Sequence, residues 1–338
     1  MSKTIGLDFG TSSLKYCFED ENEIKTLSSA VAIAKKTQQL IAIGTDAMKM
    51  LGRNHSAISL IRPIREGKVA DIGGTATLIN EIVEKSGATS MFRKASVIAA
   101  VPFGATKNEE HTLESAILDA GINTIDYVDA PIAIALGAGM PLDISTGRLV
   151  VDIGAGHTNA AIISHGGVVI SSTAKTAGDY ITASIADYMA EAHGIEVGEL
   201  TAEFIKIKLG TLNEKAPKKS LKISGKVRAD KNSMHGAKIT ATEVITSEEL
   251  IPVLKPHADK IIETITGALS HTPPEISSDI SDFGILLSGG GAALDGLPAY
   301  IQNALGIKVT TTKMPSQDAA RGILRIMKGG KAYSRFTR

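Results

Sequence analysis

The chain of 338 residues has one cysteine and no tryptophan, and aromatic residues make up 4% of it. A lone thiol, Cys17, forms no internal disulfide, so no cross-link braces the fold and the composition suits a reducing cytoplasm. Within an apolar strand-like run, Cys17 reads as a small buried side chain. Net charge is missing too: 36 Lys and Arg balance 36 Asp and Glu. That balance removes the overall basic field by which a nucleic-acid binder is recognised, and no nucleic-acid partner is expected. No apolar run approaches the roughly 20 residues that a bilayer-spanning helix needs. Met1-Ser2-Lys3-Thr4 leads straight into a strand, so no secretory leader is expected. Two common nucleotide loops are absent. No Gly-x-x-x-x-Gly-Lys-Ser/Thr occurs, and no Gly-x-Gly-x-x-Gly opens a helix after a strand.

What is present is a globular composition, 43% apolar and 21% charged, long enough for two domains that each bury a core. Residues 149–164 read Leu-Val-Val-Asp-Ile-Gly-Ala-Gly-His-Thr-Asn-Ala-Ala-Ile-Ile-Ser. Two β-prone runs flank a turn holding an acid and two glycines, which predicts strand, turn, strand. Gly154 and Gly156 open the turn's backbone N–H groups to close approach, so it can form an anion-binding concavity. Asp152, at the strand end, can hold Mg²⁺ directly or through water. One such turn is also what an ordinary acidic hairpin looks like. Residues 4–18 repeat it: Asp8-Phe9-Gly10-Thr11 lies on Asp152-Ile153-Gly154-Ala155 at an offset of 144 residues. Two copies imply an internal duplication, with two similar α/β domains facing each other across a cleft and each offering a phosphate-binding turn.

Along the chain, residues 25–50 read as a small insertion, and Asp71 precedes a helix to Ser86 where it either caps the helix or faces the cleft. The unbroken apolar run Ser96 to Pro102 predicts a central strand buried on both faces. A helix from Asn108 to Ala120 follows, then a strand from Ile125 to Val128. The small-residue helix Ile132 to Ala138 is placed at the crossing between the halves. Gly178 and Asp179 open a helix whose start either receives a phosphate or is capped. Glu203 and Lys206 stand one turn apart and either bracket a ribose or form a surface pair. Residues 215–238 carry eight Lys or Arg against Asp230, a solvated hairpin or a surface for an acidic or lipid partner. Thr246 to Glu249 opens a helix as a capping box, and Pro256 should break or kink it. A strand ending at Ser288 runs into Gly289-Gly290-Gly291, a bare backbone on which a flat base or a phosphate can rest. After a strand at 308–311 and a helix at 319–327 comes a basic tail with Lys328, Lys331, Arg335 and Arg338 among Tyr333 and Phe336.

This order of motifs resembles the superfamily of actin, heat-shock chaperone ATPases and sugar kinases over essentially the whole chain. Within it the chain is most similar to the MreB family of bacterial actins, through Ile61-Arg62-Pro63 to Asp71, Gly137-Ala138-Gly139, Thr201-Ala202-Glu203 to Lys206 and Thr272-Pro273-Pro274-Glu275. The MamK branch of magnetosome filament proteins is a near neighbour, through 152–156 and Ala320-Arg321-Gly322-Ile323-Leu324-Arg325. The resemblance implies an α/β, actin-like ATPase fold: two duplicated RNase H-like domains, each with a small inserted subdomain, and a nucleotide cleft between them. Its boundaries would be 1–140 with 32–74 inserted, plus 308–338, for domain I, and 141–307 with 182–247 inserted for domain II.

The resemblance also implies ATP with Mg²⁺ as ligand and head-to-tail self-association, often as paired protofilaments, because a repeated contact of that kind does not close into a ring. The expected role is a cell-shape scaffold. Its alternatives are an organelle-positioning filament, a non-polymerising ATP-dependent switch and a small-molecule kinase.

Carried over residue by residue, Asp8 and Asp152 flank the metal. Gly10, Thr11, Ser12, Gly154, Ala155, Gly156, His157 and Gly178 cradle phosphates. Glu203 and Lys206 approach the nucleoside, and Gly289, Gly290 and Gly291 support it. Catalytic candidates are His157, Asp129 and Asp71. Two departures matter: Ala130 stands where the family has a water-polarising Glu, and His157 where Thr is common. Binding and turnover use separate groups, so ATP binding with slow hydrolysis is expected. Met91-Phe92-Arg93-Lys94 sits where MreB-like proteins carry a lipid-inserting loop, and with the basic tail it suggests peripheral membrane contact of a cytoplasmic protein.

Overall fold

The computed structural model describes residues 3–53, 56–87, 95–142, 145–228 and 240–338. The lipid-loop expectation at Met91 and Phe92 lies outside the described residues.

The duplication read from the two acidic turns is visible as two five-stranded sheets of the same layout. The first runs in the order Thr124–Asp129, Ala95–Val101, Lys3–Phe9, Ser13–Phe18, Lys25–Ser28. The second runs Val309–Thr311, Ile285–Ser288, Arg148–Ile153, Thr158–Ser164, Gly167–Ala174. In each, the middle strand is antiparallel to its hairpin partner on one side and parallel to a neighbour on the other. The Ala95–Val101 strand is central, with parallel partners on both sides, and its last five residues are buried, as its lack of alternation implies.

Each half also carries a small sheet. Strands Val31–Ala34, Leu40–Ile43 and Ile58–Ile61 make one, followed by the two-residue strands Ile64–Arg65 and Lys68–Val69 of a tight hairpin. Strands Ile195–Glu196, Ser220–Val227 and Thr240–Thr246 make the other. The chain leaves the second large sheet later than a boundary at residue 307 would allow, because Val309–Thr311 pairs with Ile285–Ser288.

A third core lies between the sheets. Helix Ala130–Ala138 is apolar on all sides, which is the signature of a helix buried all round. It crosses helix Asp318–Gly329 through glycines: a Cβ on Gly137 would fall 1.8 Å from the Asp318 carbonyl oxygen, and one on Gly322 would fall 1.7 Å from that of Ala133. Ile132, Ile134 and Leu136 pack there with Val150, Ile163 and Leu286 of the second sheet and Ile323, Leu324 and Met327 of the last long helix. The small-residue helix therefore sits at the crossing, as its composition predicts.

Two expectations need correction. Helix Ser247–Leu269 runs unbroken through Pro252 and Pro256. The two prolines are four residues apart and both exposed, so the carbonyls they leave unbonded belong to one wet face. Leu250, Leu254, Ala258, Ile261 and Ile265 on the opposite face hold the helix in the core. The chain's last residues are not a loose basic tail either. Arg338 exchanges backbone hydrogen bonds with Tyr127, its guanidinium pairs with Glu110 at 2.6 Å, and Tyr333 and Phe336 pack on the third core.

Candidate functional site

Between the halves lies a cavity of about 570 Å³. The first hairpin lines it with Asp8, Gly10, Thr11 and Ser12, and the second with Asp152, Gly154, Ala155 and His157. Gly178, Glu203 and Lys206 line it from the helices Gly178–Ala192 and Glu199–Leu209, and Gly289, Gly290 and Gly291 from the turn after Ile285–Ser288. Residues more than 280 positions apart in the chain thus face one space.

Local chemistry explains each wall. In both hairpins the acid is the next-to-last strand residue, which lets the pairing hold it while the turn stays open: Asp8 pairs with Lys15, and Asp152 with Asn159. Gly289 has φ +81°, and a Cβ there would lie 2.5 Å from Asp152 Oδ1, so only glycine brings this turn against the acid. The start of helix Gly178–Ala192 has no side-chain cap. Its first amides donate to the second hairpin instead, Gly178 N to Gly154 O at 3.1 Å and Asp179 N to Ala155 O at 2.8 Å. Lys206 Nζ is 2.6 Å from Glu203 and donates to Gly178 O and Thr182 Oγ1, both at 2.9 Å. Glu203 and Lys206 are therefore a pair within the cavity wall.

Three of the expected site residues do not line the cavity. Gly156 backs the wall: a Cβ on it would meet Thr11 Oγ1 at 2.7 Å and Glu66 Cα at 2.8 Å. Asp71 is a helix cap, its carboxylate accepting from Gly74 N at 2.6 Å, and that bond takes it out of the catalytic set. Asp129 turns away toward Arg338 at 3.8 Å, while the next residue, Ala130, lines the cavity. Consecutive residues at a strand end point to opposite faces, so the two cannot both face the site.

Electrostatics single out the acids. Burial raises the Asp8 carboxyl above its ordinary value; Lys15 opposes this and the charge of Asp152 adds to it. Burial pushes Asp152 up to about 6, opposed by Lys15 and reinforced by Asp318. Two buried carboxylates facing one lysine are short of positive charge. Among the described residues no three Asp, Glu, His or Cys come together as a ready-made metal cage. Such a pair nevertheless fits Mg²⁺, which takes one or two carboxylates and completes its shell with water and phosphate.

Lys15 and Asn159 escaped the sequence reading, although a signal was there. The 144-residue offset that superposes Asp8 on Asp152 also superposes Lys15 on Asn159, in the same register opposite each acid. Asn159 Nδ2 donates to Ser171 Oγ and Thr173 Oγ1, while its Oδ1 is buried without a partner among the described residues. Arg62, for which the sequence predicts no separate role, lies on the opposite lip from the helix Glu199–Leu209. It reaches across the cleft to Glu199 at 2.7 Å and Asp179 at 3.7 Å.

Comparison with known proteins agrees with this geometry. The model of the MreB/Mbl protein family matches residues 2–335. The cell shape-determining protein Mbl of Bacillus cereus is 33% identical over 321 residues, covering 95% of this chain and 94% of that protein. The crystal structure of MreB5 of Spiroplasma citri bound to AMPPNP superposes with a TM-score of 0.91 at 28% identity, covering 99% of this chain and 98% of the other. The MamK double helical filament superposes with a TM-score of 0.78 over 96% of this chain and 98% of the other; at 22% identity this likeness concerns the fold alone. The architecture is the actin-like one that the motif order implies. The family match spans nearly the whole sequence, and the chain belongs to the MreB/Mbl family.

Proposed function

We propose that this chain is an actin-like cytoskeletal protein that binds Mg-ATP in the central cavity and polymerises head to tail into filaments serving cell shape. The observation that carries this reading is the meeting of two acid-and-glycine turns, one from each duplicated half, at a single cavity. Asp8 and Asp152 would hold the metal, which when bound neutralises phosphate charge. The turns at Gly10 to Ser12 and at Gly154 and Ala155 would take phosphates through backbone N–H groups, with Gly156 only backing the wall, Glu203 and Lys206 would hold the nucleoside, and Gly289 to Gly291 the base.

Hydrolysis in this reading is slow, because Ala130 on the cavity wall has no group with which to orient water. No helix among the described residues is long and apolar enough to cross a membrane. Any lipid contact in this reading is peripheral, and the seated C-terminal residues leave less of it to Arg338, Tyr333 and Phe336 than a free tail would.

Pelleting of the purified chain with Mg-ATP, Mg-ADP or no nucleotide, followed by negative-stain microscopy, tests the proposal. Nucleotide-dependent filaments are expected. A chain that binds ATP and stays monomeric at all concentrations is a switch or a small-molecule kinase, and the filament reading then fails.

A further inference from the structure

His157 departs from the family pattern, and its surroundings say what the change does. The Glu66-Gly67 turn of the tight hairpin has both residues at positive φ, +50° and +73°. It is the mirror-image turn that suits a two-residue hairpin loop. This turn leans onto both phosphate-side hairpins. Gly67 N donates to Thr11 Oγ1 at 2.9 Å, and Glu66 lies against Gly156. The His157 ring packs beside it: a Cβ on Gly67 would fall 2.5 Å from its Cε1 and 3.0 Å from its Nδ1. Nδ1 is buried with no hydrogen-bond partner among the described residues. The residue lines the cavity, and among the described residues no group bonds Nε2, which leaves Nε2 as the nitrogen open to that space.

Burial and then the charge of Lys68 hold the imidazole below its ordinary value, with Glu66 and Asp8 opposing, so the ring is neutral and carries one proton. A buried backbone N–H is left orphaned more rarely than a backbone carbonyl is left under-satisfied, and the same preference applied to the imidazole puts the bare lone pair at buried Nδ1. The proton is therefore assigned to Nε2, and Nδ1 lies under the turn as a bare lone pair. In this tautomer Nε2 is a donor into the cavity. It cannot ligate a metal or accept a proton there. Glu203 and Lys206 stand on the helix Glu199–Leu209 beside Gly178, whereas His157 stands with Thr11 and Gly67, where the two turns close on each other.

We infer that His157 is a recognition residue for the end of the phosphate chain, its Nε2–H donating to a terminal phosphate oxygen while the Glu66-Gly67 turn holds the ring in that tautomer. This rests on the nucleotide-site reading above and replaces a proton-transfer role for His157 with a binding one. It makes the site prefer a triphosphate to a diphosphate.

The test is calorimetric binding of Mg-AMPPNP and Mg-ADP to the full chain, to His157→Ala and to His157→Gln, whose amide supplies an N–H near the place of Nε2. A hydrogen bond to a charged group implies that His157→Ala weakens AMPPNP binding by roughly tenfold or more and leaves ADP within about twofold, with His157→Gln recovering most of the loss. Long-range ¹⁵N NMR of the wild-type histidines reads the tautomer directly and needs no variant to fold. Equal weakening for both nucleotides, no weakening in His157→Ala, or a proton found on Nδ1 overturns the inference. A wild-type chain that binds neither nucleotide overturns the nucleotide-site reading itself, and the inference falls with it.

Discussion

Asp152 should destabilise the nucleotide-free protein, and replacing it with Asn should show this. Its carboxyl lies at about 6 against an ordinary 3.8. At 1.36 kcal/mol per unit, the shift corresponds to about 3 kcal/mol against folding. Asp152 lines the cavity, and water reaching it there screens part of that penalty, which leaves about 1–2 kcal/mol. The sign follows from the direction of the shift. An acid held above its unfolded value binds its proton more tightly in the fold, so the penalty is absent below about 3.8, grows as pH rises toward 6, and is constant above.

Two neighbours modify the size of the effect. Asp8 is relieved of a repelling charge in Asp152→Asn, and Lys15 loses one of its two acids. The assay is thermal unfolding of wild type and Asp152→Asn at pH 4.5 and 7.5 without nucleotide or Mg²⁺. The variant should melt higher at pH 7.5 by roughly 2 °C, and that difference should shrink by more than half at pH 4.5. Mg-AMPPNP should then raise the wild-type midpoint and leave the variant nearly unmoved. A variant less stable at pH 7.5, or a difference equal at both pH values, would refute the electrostatic account of this site.

Two further outcomes follow from the packing. Gly322→Ala places a Cβ 1.7 Å from the Ala133 carbonyl oxygen, and the clash is with backbone, so the helices must part; a loss of about 3 kcal/mol in urea unfolding is expected, and one below about 0.5 kcal/mol would show that the crossing is not tight. Ala130→Glu restores a carboxylate to the cavity wall and should speed phosphate release at least about tenfold over a slow wild type, whereas fast wild-type turnover without gain in the variant would exclude Ala130 as its cause.

The amino-acid order by itself determined the duplication, the two acidic turns, the glycine turn at 289–291 and the small-residue helix at the crossing. These depend on local rules: strand alternation, turn chemistry and residue size act within a few positions of the residues that show them. Only the tertiary structure decided which way particular side chains turn. Asp71 is held by its own helix, through Gly74 N three residues on, whereas Asp129, also an acid beside a helix start, is taken by Arg338 far along the chain. Pro256 breaks a helix by every local rule, yet it is tolerated because its face is wet and the opposite face is buried by distant strands. The partners of Lys15 belong to different halves, so its place between two acids exists only once the halves have met. Long-range packing sets these orientations, and a one-dimensional pattern holds no record of which distant group arrives.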